Sequence, residues 1–120
     1  MSDLGPTVFE AAVERQGATT VIALCGEMDL ASEERFLEAV ATASKGPLVI
    51  DLRQVAFIDS SGVRLILEQR ARQRANGGAP LSVVLGDEGP ARRVFDLLEL
   101  TDAFDGRSSP ADLPRTSRSA

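Results

Sequence analysis

The chain has 120 residues, of which 43% are hydrophobic and 26% are charged, and its formal net charge at pH 7 is −5. This balance predicts one globular domain with a substantial core, and the negative charge argues against a nucleic-acid partner. The chain contains no histidine, which excludes Ser-His-Asp and Cys-His catalysis and the commoner zinc sites.

The sequence also bears on the compartment. No basic region followed by an apolar core stands at the N-terminus, so we predict no signal peptide. No apolar run approaches the ~18–20 residues that span a bilayer. The single cysteine, Cys25, cannot form an internal disulfide, which suits a reducing compartment. We therefore predict a cytoplasmic protein that does not insert into membranes.

The chain is predicted to begin with a β-hairpin. Residues 1–6 form a flexible lead-in, and residues 7–15 place apolar side chains at alternate positions, as a half-buried strand does. Gly17 can take the positive φ that a tight turn needs. Residues 19–25 are more continuously apolar, which predicts a more buried strand antiparallel to the first. We expect residues 26–30 to end this strand as a loop.

An amphipathic helix is predicted next. Ser32 occupies the expected N-cap, with Glu33 and Glu34 in the first turn, where the helix dipole favours acidic residues. The Lys-Gly-Pro sequence at residues 45–47 predicts its end, because glycine suits a C-terminal cap and proline cannot continue a helix. The residues expected to face the core are Phe36, Leu37, Val40 and Ala41.

Two short apolar runs predict further buried strands. Residues 48–52 lack alternation, which indicates burial on both faces, and residues 81–85 form a similar run. Residues 55–58 are expected to lead from the first of these strands into a helix over about residues 61–75, which Asn76-Gly77-Gly78 ends. The expected core face of that helix comprises Val63, Ile66, Leu67 and Ala71.

The arginines of this second helix are Arg64, Arg70, Arg72 and Arg74. We interpret them as a solvated face, with a basic contact surface as the alternative. A third helix is predicted from Pro90 to about Leu100. Its expected core residues are Val94, Leu97 and Leu98. Phe104 is expected to anchor a last strand or turn, and residues 106–120 are predicted to be a disordered tail.

The predicted order β-β-α-β-α-β-α indicates an α/β domain over residues 7–105, with a mixed, mostly parallel sheet, a hairpin strand at its start and helices packed on it. Functional loops gather at the carboxyl ends of the strands in such sheets. We therefore expect an acidic rim beside Ser61, formed by Glu27, Asp29, Asp59, Asp87 and Glu88. The rim could attract Mg²⁺, but no spacing in it is specific for a metal, so no metal site is predicted.

The Asp-Ser-Ser-Gly sequence at residues 59–62 stands where the second helix begins. Serine and aspartate oxygens accept hydrogen bonds from the unpaired N–H groups of a first turn, so this segment is typical of a helix cap. Those N–H groups and the helix dipole also favour an added phosphate. A regulatory phosphorylation site at Ser61 is therefore the second interpretation.

Motifs for several other chemistries are missing. Neither Gly-x-x-x-x-Gly-Lys-Ser/Thr nor Gly-x-Gly-x-x-Gly occurs, so we predict no nucleotide cofactor, and indeed no cofactor of any kind. Asp51 ends a predicted strand, as the acceptor aspartate of a receiver domain does. The only lysine, Lys45, precedes that strand instead of following a later one. We therefore expect Asp51 to be a strand-end structural or rim residue.

Four segments carry a family resemblance: residues 26–30 (GEMDL), 49–52 (VIDL), 55–62 (VAFIDSSG) and 94–98 (VFDLL). Together they resemble the STAS domain and, more narrowly, the bacterial anti-sigma factor antagonists. The likeness covers roughly residues 7–104. Its Asp-Ser-Ser-Gly core is fairly specific, because it follows a strand and precedes a helix.

The resemblance implies regulation of transcription by partner switching. In that family the unphosphorylated antagonist binds an anti-sigma factor, which is also a serine kinase, and so releases a sigma factor. The kinase phosphorylates the serine before the glycine, Ser61 here, and a metal-dependent serine phosphatase reverses the modification. The implied partner-binding residues are Glu27, Asp29, Asp59, Ser60, Gly62 and Arg64.

Two departures from the family accompany this resemblance. Arg64 stands where the antagonists usually carry a second glycine, and a cation there could alter the kinase interface or pair with the phosphate. Residues 106–120 do not supply the amphipathic helix with which many of these proteins end.

Two other functions stay open. STAS domains also occur as small, unphosphorylated partners of lipid-transport ATPases and in larger stress-signalling complexes, and Arg64 with the basic helix face motivates this alternative. The other open function is that of a small-molecule enzyme or a nucleotide binder. The missing histidine and phosphate-loop motifs argue against it, so we predict a protein without catalytic activity, of undetermined oligomeric state.

Overall fold

The computed structural model describes residues 8–43, 46–102 and 104. The strands in this part of the chain are β1 (Glu10–Gln16), β2 (Thr19–Met28), β3 (Leu48–Ile58) and β4 (Leu81–Val84). The helices are α1 (Glu33–Ala41), α2 (Ser60–Ala75) and α3 (Pro90–Leu97), and a 3-10 turn, Leu30–Ser32, precedes α1. The α/β fold class and the predicted order of elements are confirmed.

The sheet has the strand order β1-β2-β3-β4. β1 and β2 form the predicted antiparallel hairpin around Gly17, whose φ of 64° is the left-handed conformation that the turn requires. β2, β3 and β4 run parallel, so a crossover containing a helix joins each of these strands to the next.

The main core lies between one face of the sheet and the three helices named above. Its members include Ile22, Leu24, Phe36, Leu48, Ile50, Leu52, Ile66 and Phe95. The opposite face of the sheet carries a smaller buried cluster of Val21, Val49 and Val84. Residues 48–52 are therefore buried on both faces of the sheet, as their unbroken apolar run predicts.

β2 and β3 extend further than predicted. Residues 26–28 and 55–58, which were expected to be loops, are the paired ends of the two strands. The last pairs join Glu27 with Phe57 and Met28 with Ile58. Gly26 has a φ of 92° at an irregularity of the pairing, and a Cβ there would overlap the carbonyl oxygen of Val8. This glycine therefore bends a continuing strand instead of ending it.

The buried faces of the helices are partly different from the predicted ones. The expected core residues that are exposed instead are Leu37, Ala41, Leu67, Ala71, Leu97 and Leu98. Buried residues that the prediction omitted are Ala39, Leu65, Ala91 and Phe95. Leu97 is the last residue of α3 and Leu98 is its C-cap, so both lie where the helix ends, whereas Ala91 and Phe95 supply its buried face. Leu97, at 76% exposure, is the clearest of these errors.

The helix ends also differ from the predictions. α1 ends at Ala41, before residues 45–47, and the Thr42 hydroxyl donates to the Ala39 carbonyl oxygen at 2.7 Å. α2 ends before Asn76, as expected. α3 ends at Leu97 instead of near residue 100.

Phe104 is buried, as expected of an anchor. Its ring meets the Phe95 ring edge to face, with centroids 5.7 Å apart, and the Arg70 guanidinium lies 4.8 Å from its centroid. Arg64, Arg72 and Arg74 are exposed, as the solvated-face interpretation predicts, although Arg72 also donates to the Gln69 side chain and Arg70 is partly buried. The predicted lead-in, residues 1–6, and the predicted tail, residues 106–120, lie outside the described residues.

Among the helices of the described residues, none has the length and apolarity that crossing a membrane requires.

Candidate functional site

The candidate site lies where β2 and β3 end side by side. Met28 is paired with Ile58, and the Asp59 N–H donates to the Met28 carbonyl oxygen at 3.4 Å. Asp29 and Asp59 therefore follow the carboxyl ends of two neighbouring parallel strands. This is the edge at which the loops of an α/β sheet collect functional residues.

Asp59 caps α2. Its Oδ1 accepts hydrogen bonds from the Ser61 N–H at 2.9 Å and the Gly62 N–H at 3.1 Å. Aspartate at this position satisfies N–H groups that have no partner within the helix. The capping role predicted for this segment is therefore present, and Asp59, not a serine, performs it.

Asp29 caps the 3-10 turn in a similar way. Its Oδ1 accepts from the Ala31 N–H at 3.0 Å. The buried Ser32 hydroxyl accepts from the Asp29 N–H at 3.0 Å and donates to the Glu27 carbonyl oxygen at 2.9 Å. Ser32 does precede α1, as predicted, but its side chain closes this loop instead of capping the helix. Through these bonds Ser32 ties the Asp29 loop back to Glu27, just before β2 ends at Met28.

Gly62 allows α2 to begin against the strand ends. A Cβ at this position would lie 2.5 Å from the Met28 carbonyl oxygen and 2.9 Å from the Ile58 Cγ1. No side chain fits there, since real Cβ atoms essentially never approach other atoms so closely. The glycine is thus required by packing between α2 and β2.

The two serines occupy the first turn of α2. Ser60 is exposed and Ser61 is partly exposed. No hydrogen bond of the Ser61 hydroxyl is found within the described part of the chain. With Asp59 Oδ1 engaged by backbone N–H groups and no histidine in the chain, Ser61 has no evident base to activate it as a nucleophile of its own.

Arg64 lies one helical turn beyond Ser61 and points outward. Its Nη1 is 3.0 Å from Glu68 Oε2, and both side chains are about half exposed, at 51% and 43%. Among the residues predicted to bind a partner, Arg64 is the one whose side chain is held by an ion pair on the helix surface.

Of the predicted acidic rim, Glu27, Asp29 and Asp59 lie at the neighbouring ends of β2 and β3, whereas Asp87 and Glu88 follow β4. β4 pairs with β3 only from Leu48 to Asp51, whereas β3 continues to Ile58. Val84, the last residue of β4, therefore lies roughly 20 Å before the end of β3 at about 3.3 Å per residue. Asp87 follows three residues later, and its place in the rim stays a prediction. The described residues contain no group of three or more His, Cys, Asp or Glu side chains that could hold a metal ion.

Asp51 lies inside β3 instead of at its end. Its buried carboxylate accepts from Arg53 Nη2 at 2.8 Å, from Arg53 Nε at 3.0 Å and from the Arg53 N–H at 3.1 Å. These hydrogen bonds raise the pKa of Arg53. Asp51 is therefore a structural residue, as expected, but it is not part of the rim.

Sequence reasoning missed two exposed apolar side chains beside the site. Leu30, which follows Asp29, is 60% exposed, and Phe57, which is paired with Glu27, is 46% exposed. The available signal was Phe57 itself, since Val55 and Ile58 already fill the core positions of this strand end.

The fold and the site together define a small α/β domain with a mixed sheet. A helix capped by an aspartate begins at the carboxyl ends of the central strands and carries two serines in its first turn. The family model described as "Mlab, STAS domain" matches residues 11–105. The chain therefore belongs to the STAS domain family, which confirms the resemblance found in the sequence.

Solved structures extend this assignment. An anti-sigma factor antagonist from Mycobacterium paratuberculosis is 27% identical over 90% of this chain and 92% of its own, with a TM-score of 0.70. The anti-sigma factor antagonist SpoIIAA in its unphosphorylated form is 25% identical over 79% of this chain and 84% of its own, with a TM-score of 0.60. No curated protein sequence matches the chain.

Proposed function

We propose that this protein is an anti-sigma factor antagonist, which binds an anti-sigma factor serine kinase and thereby releases a sigma factor until Ser61 is phosphorylated. The observation that carries the proposal is Ser61 in the first turn of α2, a partly exposed residue whose hydroxyl has no hydrogen-bond partner among the described residues. The antagonists with similar structures support it. The protein acts in the cytoplasm, where its kinase and sigma factor work.

The switch requires one covalent step, performed by the kinase. Ser61 Oγ attacks the terminal phosphorus of a nucleoside triphosphate, the bond to the departing nucleoside diphosphate breaks, and the hydroxyl proton passes to a base of the kinase. A serine phosphatase reverses the step by hydrolysis. In both directions this chain is the substrate, so the proposal assigns it no catalytic residue.

The size of the effect is sufficient for a change of partner. Phosphate adds about −1.5 to −2 charges and three acceptor oxygens at neutral pH. The helix dipole tolerates this charge, so the domain itself need not refold. In a tight interface the same group is desolvated and repels carboxylates that the partner brings near it. A loss of about 3 kcal/mol would weaken binding roughly a hundredfold.

The test is a comparison of Ser61→Asp, Ser61→Ala and the matched control Ser60→Ala. We expect Ser61→Ala to bind the kinase as tightly as the wild type without accepting phosphate, and Ser61→Asp to bind at least tenfold more weakly. Ser60→Ala should both bind and be phosphorylated. Calorimetric titration with the purified kinase and phosphopeptide mapping provide the measurements. Phosphate mapped to Ser60, or equal affinity of Ser61→Asp and wild type, contradicts the proposal.

A second candidate is an unphosphorylated STAS subunit of a lipid-transport ATPase or of a stress-signalling complex. The observation in its favour is that the matching family model carries the description Mlab and not that of an antagonist. Co-purification with an ATPase or scaffold, together with unmodified Ser61 under every growth condition, would favour this candidate over the first.

A further inference from the structure

The surface of α2 next to Ser61 contains one cation whose position has a consequence for the phosphorylated protein. Arg64 is the only Lys or Arg within the first two turns of α2. Residues three apart in a helix are neighbours on its surface, with Cβ atoms about 5–6 Å apart. In the structure the Arg64 guanidinium bonds to Glu68, one turn toward the C-terminus, but helical side chains tend to lean toward the N-terminus, so the turn that holds Ser60 and Ser61 is within its reach.

The present partner of Arg64 is easily exchanged. The contact with Glu68 is a single 3.0 Å bond between two half-exposed side chains, and such pairs contribute little to stability. A phosphate offers more charge than a carboxylate, and a guanidinium can bind it through two parallel hydrogen bonds.

Asp59 strengthens the case for exchange. Its Oδ1 already accepts the N–H groups of Ser61 and Gly62. A phosphate on Ser61 would therefore sit beside an existing negative charge and would find those two donors occupied. A cation from the next turn is the compensation that the helix itself can supply.

We propose that Arg64 is a built-in counter-ion for phosphorylated Ser61, whose guanidinium leaves Glu68 and pairs with the phosphate. This inference rests on the proposed function, since it concerns the regulation of the same serine. The exchange also leaves the Glu68 carboxylate without its ion pair. Phosphorylation at Ser61 therefore creates an unpaired acidic group on the helix surface at Glu68. A partner can then sense the modification two turns away from it.

The test uses full-length protein with phosphoserine installed at position 61 by encoded incorporation, so that no kinase is needed. A ³¹P NMR titration follows the second ionisation of the phosphate, which lies near pH 6. Because a nearby cation favours the dianion, Arg64→Gln should raise this pKa by roughly half a unit. Glu68→Gln, which removes the competitor, should leave it unchanged or lower it.

Arg74→Gln is the matched control. Arg74 is an exposed arginine of the same helix, about 20 Å along the axis from Ser61, which exceeds the screening length in physiological salt. It should leave the phosphate pKa unchanged. Equal shifts for Arg64→Gln and Arg74→Gln, or no shift for either, overturn the pairing. A failure of the proposed function appears separately, as unmodified Ser61 in the presence of the kinase, and leaves the titration interpretable.

Discussion

Replacing Gly62 by alanine tests the contact on which the site is built. The added Cβ would lie 2.5 Å from the Met28 carbonyl oxygen, in backbone at the end of β2, and 2.9 Å from the Ile58 Cγ1. Ordinary van der Waals contact begins near 3.4 Å, so the start of α2 must move away from β2 by roughly 1 Å.

The expected loss of stability is a balance of two effects. Alanine favours a helix over glycine by about 1 kcal/mol. Overpacking typically costs 1–3 kcal/mol, and we take about 3 kcal/mol here because the obstacle is backbone and cannot rotate away. The net destabilisation is about 2 kcal/mol, which corresponds to a fall in Tm of about 10 °C for a domain of this size.

Urea and thermal unfolding followed by far-UV circular dichroism measure this change. The chain has no tryptophan or tyrosine, so intrinsic fluorescence is a poor probe. Ser60→Ala is the control, because Ser60 is exposed in the same turn and should stay within about 0.5 kcal/mol of wild type. If Gly62→Ala were as stable as Ser60→Ala, α2 would not begin against β2, and the reasoning would be refuted.

Three further changes test other parts of the structure by the same unfolding measurements. Thr20→Val should stabilise by about 1 kcal/mol, because the Thr20 hydroxyl is fully buried and finds no hydrogen-bond partner in the described structure; a loss of stability would imply a partner. Asp59→Ala should cost about 1–2 kcal/mol and Asp59→Asn less, since asparagine also caps; equal losses would contradict the capping role. Phe104→Ala should cost about 3–5 kcal/mol, whereas Leu97→Gln should change little, and the reverse order would restore Leu97 to the core.

Local chemistry was sufficient to predict the order of the elements and the capped start of α2, on which the candidate site lies. The backbone preferences of single residues predict local features: a turn at Gly17, the start of a helix at Pro90 and the end of a helix at Asn76. The Asp-Ser-Ser-Gly sequence at residues 59–62 likewise predicts the start of a helix. This prediction is possible from sequence because a capping side chain and the N–H groups that it binds are neighbours in the chain. These features needed no knowledge of the rest of the fold.

The positions of distant segments relative to one another could not be obtained in this way. The paired ends of β2 and β3 were predicted to be loops. A glycine such as Gly26 usually ends a strand, and only the pairing with β3 shows that this strand continues past it. Topology alone likewise does not say that β4 pairs with β3 only from Leu48 to Asp51, well before β3 ends. The register of the strands and the choice of which helix residues are buried both depend on packing between residues far apart in the chain. Only the tertiary structure shows that Gly62 is required by its contact with β2 and that the Arg70 guanidinium lies over the Phe104 ring.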